Sequence, residues 1–169
     1  MTKEKIPRGL VKDTSAVALS SKYLGKAQTN LITMDLLLAL KDNKEARTLL
    51  NIPPKYTPDD WIIVAGYYAM YLAATALLAK VRYKTKQHTA AIEGLEHFFV
   101  KKKLLEQQYV EMLKSASLSH EEIHNLSKAR KDRETAQYGV TEATTLDLIS
   151  KTTKNAHDFV DKAITILIP

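Results

Sequence analysis

Nineteen consecutive residues, Trp61 to Ala79 (WIIVAGYYAMYLAATALLA), carry no formal charge, and any fold of this chain must find cover for them. The run is long enough to cross a bilayer as a helix. Its composition argues otherwise: six Ala, three Tyr, Gly66 and Thr75 dilute the large aliphatics. Tyr67, Tyr68 and Tyr71 also fall in the middle of the run, whereas an interfacial belt would place them at its ends. No second such run follows. A helix apolar on every side is what the centre of a soluble bundle requires, and that is the expectation here, with no membrane.

The flanks mark this helix. Thr57-Pro58-Asp59-Asp60 offers an N-cap, a proline at the first helical position and two acids in the first turn, and Lys80 and Arg82 stand at the other end. An earlier helix is expected from just after Asp13 to about Asn43, with Ala16, Tyr23, Ala27, Leu31, Met34 and Leu38 on one stripe. Lys44 to Leu50 reads as a short extra turn, and Asn51-Ile-Pro-Pro as a connector. Beyond the basic stretch Lys84 to His88, a helix carries Ile92, Leu95 and Phe99, and a short one holds Leu105, Tyr109 and Met112. Ser119-x-x-Glu122 reads as a capping box opening a further helix to Tyr138, with Gly139 as its stop. The final helix shows Leu146, Ile149, Thr153, Ala156, Val160, Ala163 and Leu167 at alternating steps of three and four.

With five Gly and five Pro in 169 residues the chain has few turns, and no strand periodicity competes. The expected fold is therefore all-α, an up-and-down bundle of four or five main helices formed by residues 13–169, with residues 1–12 as a flexible terminus. The absence of Cys excludes disulfides, thiol nucleophiles and Cys-containing metal sites. No apolar segment follows Met1, so no signal peptide is expected and the location is read as cytoplasmic.

Two features bear on chemistry. His120-Glu-Glu-Ile-His124 satisfies the H-E-x-x-H zinc pattern. It is set aside because His120 would lie in a first helical turn, the capping box engages Glu122, and no third ligand stands downstream. At 100° per residue, Ile123, Leu126, Arg130, Arg133 and Gln137 share one stripe that begins apolar and ends in guanidinium. Such a stripe implies a cleft at the bundle edge or a surface covered by a partner, since a buried arginine needs an anionic or hydrogen-bonding companion. An intrahelical pairing of these arginines with Glu134 is the simpler alternative. The net charge of +6 and the clusters Lys80 to Lys86, Lys101 to Lys103 and Lys128 to Arg133 suit a nucleic-acid partner. No Gly-rich phosphate loop, nucleophile elbow or acidic metal cluster occurs, so neither cofactor nor metal is expected.

Taken in order, Gly66-Tyr-Tyr-Ala-Met70, Ala74, Ala76-Leu-Leu78, His88 after a basic loop, Phe98-Phe-Val-Lys101, Arg133-x-x-Ala136-x-Tyr138 and Ala156-x-x-Phe159-Val160 resemble the HEPN superfamily. The similarity is to its compact single-domain archaeal and bacterial branch, and it spans about residues 13 to 167. It implies a helical bundle that forms a homodimer, with the Arg-bearing helices facing across a cleft. Many members are RNA endonucleases or toxins paired with a small nucleotidyltransferase antitoxin, and their motif is Arg, four to six residues, then His. In such metal-independent cleavage the arginine holds the scissile phosphate and the histidine moves a proton.

Arg133 occupies the arginine position, but Tyr138 stands where the histidine would. A phenol of ordinary pKa about 10 is a poor base at neutral pH, although it can still donate a hydrogen bond to phosphate. The resemblance therefore implies a nucleotide- or RNA-binding member, toxin-like, with Arg130, Arg133 and His88 on the phosphate and Arg133 and Tyr138 as a degenerate catalytic pair. Tyr138 is also a candidate for nucleotidylation by an antitoxin. Two other readings stand beside it: an active metal-independent RNA endonuclease, and a non-catalytic scaffold whose arginine stripe is a protein interface.

Overall fold

The uncharged run forms the central helix of the molecule, and its neighbours close around it. The computed structural model describes residues 5–132 and 142–168, with side chains over 5–125 and 145–168. Its helices are α1 (Ser20–Asp42), α2 (Lys44–Leu49), α3 (Asp59–Lys80), α4 (His88–Leu95), α5 (Gln107–Asp132) and α6 (Glu142–Leu167). A two-stranded antiparallel ribbon, β1 (Val11–Lys12) with β2 (Tyr83–Lys84), pairs Val11 with Lys84 and Lys12 with Tyr83. Helix α3 packs against α1, α4, α5 and α6. Four long helices and the shorter α4 make this the all-α bundle that the periodicity predicts.

By length and composition α3 could cross a membrane, but its most apolar eighteen-residue window is 78% buried inside the protein. Protein on all sides thus accounts for its composition. The alanines matter because they are small: Ala69, Ala73, Ala74 and Ala76 are fully buried and let the neighbouring helices approach. Larger side chains fill the gaps between them, with Ile62, Met70, Leu77 and Leu78 wholly inaccessible, each worth about 1.5–3 kcal/mol of burial. Met34 of α1 and Phe159 and Val160 of α6 meet them from either side.

Caps and pairs fix the ends. Asp13 accepts from the Ser15 amide at 2.9 Å, opening a 3-10 turn (Thr14–Leu19) that runs into α1. Its other oxygen lies 2.6 Å from Lys84 Nζ on the ribbon. Lys84 first, and Ser15 after it, hold the Asp13 carboxyl down to about 2. Within the first twelve residues, then, Val11–Lys12 are paired and Leu10 packs on the core. Helix α3 begins one residue later than expected: Pro58 is its N-cap and accepts the first helical bond from the Ile62 amide at 3.0 Å. Lys41 Nζ lies 2.8 Å from Asp59 Oδ1, tying the end of α1 to the start of α3. His157 Nε2 lies 2.9 Å from Asp35 Oδ1 and ties α6 to α1.

Two expectations are corrected. The short helix around Tyr109 and the capped helix from Ser119 are one continuous helix, α5. Ser119 caps nothing; its hydroxyl donates to the Ser115 carbonyl one turn back, at 3.1 Å. No Gly or Pro separates Met112 from Ser119, so nothing in the chain obliges the helix to stop. The second correction concerns α6, where Ile149, Ala156, Val160, Ala163 and Leu167 are buried but Leu146 is 51% exposed. A perfect step of three and four specifies one face of the helix and not how far along it that face is covered.

The π turn Glu96–Val100 continues α4 and delivers Phe99 to the core. It was invisible in the spacing of Leu95 and Phe99, which suits an α-helix equally well.

Gly66 marks the closest crossing. A Cβ there would meet Thr152 Cγ2 at 2.6 Å and Met34 Sδ at 2.9 Å, so α1 and α6 both press on this position. Gly66→Ala gains up to about 1 kcal/mol of helix propensity but overpacks two helices at about 1–3 kcal/mol. We expect net destabilisation of roughly 1–2 kcal/mol in urea unfolding. A variant as stable as the parent would show that the crossing has room to relax.

Candidate functional site

Three tyrosines in the middle of α3 and two histidines from other helices form one aromatic cluster. Among the described residues Tyr67 is the largest fully buried side chain, and its hydroxyl is hydrogen-bonded to Nδ1 of His88, the first residue of α4. Tyr71 stacks on His88 at 4.3 Å between ring centroids, and His120 of α5 stacks on Tyr67 at 4.5 Å. Relative to Tyr67, the planes of Tyr71, His88 and His120 tilt by only 20°, 14° and 26°. Tyr68 breaks the pattern, standing edge-on to His120 at 5.4 Å and 84°.

The helical register explains the convergence. Tyr67 and Tyr71 are four residues apart and share a face, while Tyr68 is rotated by one position toward solvent. Because α5 continues through residue 119, His120 is a mid-helix residue held against that face. Burial is the main reason the His120 imidazole is pushed below its ordinary pKa, with the nearby His88 and His124 imidazoles adding to it. Burial likewise pushes the Tyr71 phenol up. Both rings are therefore neutral at neutral pH, able to stack and to exchange hydrogen bonds without charge.

Beside the cluster lies a cleft of about 350 Å³ between α3 and α5. Asp60, Trp61, Val64 and Tyr68 line it from α3, and His120, Ile123 and His124 from α5. Trp61, in the first turn of α3, is 60% exposed, which is unusual for so large an apolar ring. His120 belongs both to the ring cluster and to the cleft wall.

The residues singled out from the sequence are distributed as follows. His88 is half-buried in the cluster, bonded to Tyr67 and stacked under Tyr71, and does not line the cleft. Arg133 and Tyr138 lie outside the described residues. Arg130 lies in the backbone of α5, outside the described side chains. It follows Ile123 by seven residues on the same helical stripe, about 10 Å further along the axis. For His120 and His124, two of the three grounds for setting aside the zinc pattern do not hold, because His120 is not in a first turn and Glu122 stands mid-helix; the third, the lack of a further ligand, stands. Among the described residues no three His, Asp or Glu side chains converge as a metal site.

What the sequence reading missed is the cleft and the part Trp61, Tyr68 and His120 play in it. The signal was present as Tyr67-Tyr68 and Tyr71 in an otherwise aliphatic run, but their partners are 21 and about 50 residues away.

Two measurements probe the cluster. Tyr67→Phe leaves His88 Nδ1 without its hydroxyl partner and is expected to cost about 1–2 kcal/mol in urea unfolding. A cost near zero would mean that stacking alone holds His88. For His120, the folded pKa is lowered, so the unfolded chain binds the proton more readily. Its stabilising contribution is complete above the ordinary value of 6.5 and is lost as pH falls through the lowered value. Melting curves between pH about 8 and about 5 should therefore show a smaller acid-side loss for His120→Phe than for the parent. Equal losses would place the acid sensitivity elsewhere.

The family model of the HEPN domain matches residues 33–167, which takes in the ring cluster, the cleft and the Arg133 to Tyr138 segment. No curated protein and no solved structure matches the chain. The family match begins later than the resemblance read from the sequence, inside α1, and ends with α6. Most of the chain is covered, and its helical architecture agrees with the match; the chain therefore belongs to the HEPN family, with that family's nucleotide- or RNA-related type of function.

Proposed function

We propose that this chain is an RNA- or nucleotide-binding HEPN domain, the toxin-like member of a pair with a small nucleotidyltransferase, acting as a cytoplasmic homodimer. The observation that carries the reading is the Arg133-x4-Tyr138 segment within the matched span, a HEPN motif with phenol in place of imidazole. Arg133, with Arg130 three residues earlier in the sequence, holds a phosphate through charge-assisted hydrogen bonds. Tyr138 donates a hydrogen bond and does not take a proton. The net charge of +6 supports an anionic partner, and the cleft supports an aromatic one, since it presents Trp61, Tyr68 and two imidazoles on the helix that leads to Arg130.

The test is RNA binding by fluorescence anisotropy together with a cleavage assay in EDTA. Binding should weaken as salt rises from about 50 to about 200 mM. Arg133→Ala should cost about 1.5–3 kcal/mol, a ten- to hundredfold rise in Kd. An unchanged Kd would remove Arg133 from the site. Tyr138→His should introduce or increase metal-independent cleavage, by up to the 10²- to 10⁴-fold that acid–base catalysis supplies. A parent protein that already cuts RNA in EDTA would instead make the chain an active endonuclease.

A further inference from the structure

The cleft between α3 and α5 has the chemistry of a receptor for one flat, polar-edged heterocycle. Its walls are rings: Trp61, more than half exposed; Tyr68; and the imidazoles of His120 and His124. Val64 and Ile123 supply apolar surface between them, and among the described residues the one carboxylate on the wall is that of Asp60. No lysine or arginine is among the described lining residues. The described wall is thus mostly ring and aliphatic surface, on which a planar aromatic ring can stack.

The interior points the same way. His120 is one of three rings lying within 26° of the plane of Tyr67, and it is the one of the three that lines the cleft. A planar ring entering there lies against an aromatic layer that is already ordered, so little conformational entropy is lost on its side.

We infer that this cleft is a nucleobase subsite for guanine, with the base stacked among Trp61, Tyr68 and His120 and its N1–H and exocyclic amino group donating to the Asp60 carboxylate. The guanine edge offers two adjacent donors, matched to the two oxygens of a carboxylate; adenine and the pyrimidines do not offer that pair on one edge. A carboxylate has about four acceptor sites, so Asp60 can take the base and keep its other interaction. This inference rests on the reading of the chain as an RNA or nucleotide binder and gives it a base preference. The phosphates of the same nucleotide would leave the cleft along α5 toward Arg130, two turns beyond Ile123.

The experiment exploits a property of the chain: Trp61 is its only tryptophan, so all indole emission reports on this wall. Purified full-length protein, excited at the red edge of indole absorption, is titrated with guanosine, adenosine and inorganic phosphate. Guanosine is expected to quench saturably, adenosine at least tenfold more weakly, and phosphate not at all. In Asp60→Asn the guanosine Kd should rise tenfold or more while adenosine is unaffected, with circular dichroism showing the helices intact. Quenching that stays linear with concentration, equal affinity for the two nucleosides, or an unchanged guanosine Kd in Asp60→Asn would overturn the assignment.

Guanosine carries no phosphate, so this result is independent of Arg133. RNA binding that depends on Arg133 without saturable guanosine quenching would refute the subsite and leave the functional reading standing. Saturable guanosine binding without any RNA binding would keep the subsite and remove the RNA half of that reading.

Discussion

Covering α3 is the constraint on which the rest of this molecule depends. A 22-residue helix with almost no charged residue between its ends needs neighbours over most of its surface, and Trp61 at its start is the large side chain left exposed. Helices α1, α4, α5 and α6 supply them. The small residues that make α3 a poor membrane helix make it a good bundle axis, because Ala and Gly let four partners come close. Gly66 is where this is most acute, since α1 and α6 leave no space for a methyl group there.

That packing also decides where polar chemistry can sit. Tyr67 and Tyr71 are enclosed in the bundle, yet each must satisfy or shelter a hydroxyl, and His88 and His120 come from separate helices to meet them. The middle of α3 therefore carries a small aromatic and imidazole core within the aliphatic one. The cleft is its outward continuation, bounded on α3 by Val64 and Tyr68, one helical position round from Tyr67, and on α5 by His120 with Ile123 and His124 one turn further along.

Local signals were legible where each could be read without its partner. Asp13 begins the helical structure, the prolines before residue 59 interrupt it, and Lys44–Leu49 forms the extra turn, because caps and breakers act on their own neighbours. Ser119 misled because S-x-x-E is also an ordinary helix-interior sequence; only the continuity of the backbone tells the two apart. Leu146 misled because periodicity specifies a face and not what covers it. The ring cluster was out of reach for a different reason: its members are far apart in the chain and meet only through the mutual packing of α3, α4 and α5. The arginine stripe was read from helical periodicity and Tyr138 from likeness to a family, and Arg133 and Tyr138 lie outside the described residues.

The continuity of α5 has a mechanical meaning. A helix of 26 residues is a stiff rod of about 39 Å, and one rod carries both the imidazole that rests on Tyr67 and the backbone of position 130. Spacing along it is quantised: adding or deleting one residue between His124 and Arg130 would turn everything beyond by about 100° and shift it by about 1.5 Å. Substitutions in that stretch leave the gauge intact, whereas a single-residue insertion breaks the angular relation between the two ends. The length of the segment is thus under tighter constraint than its composition.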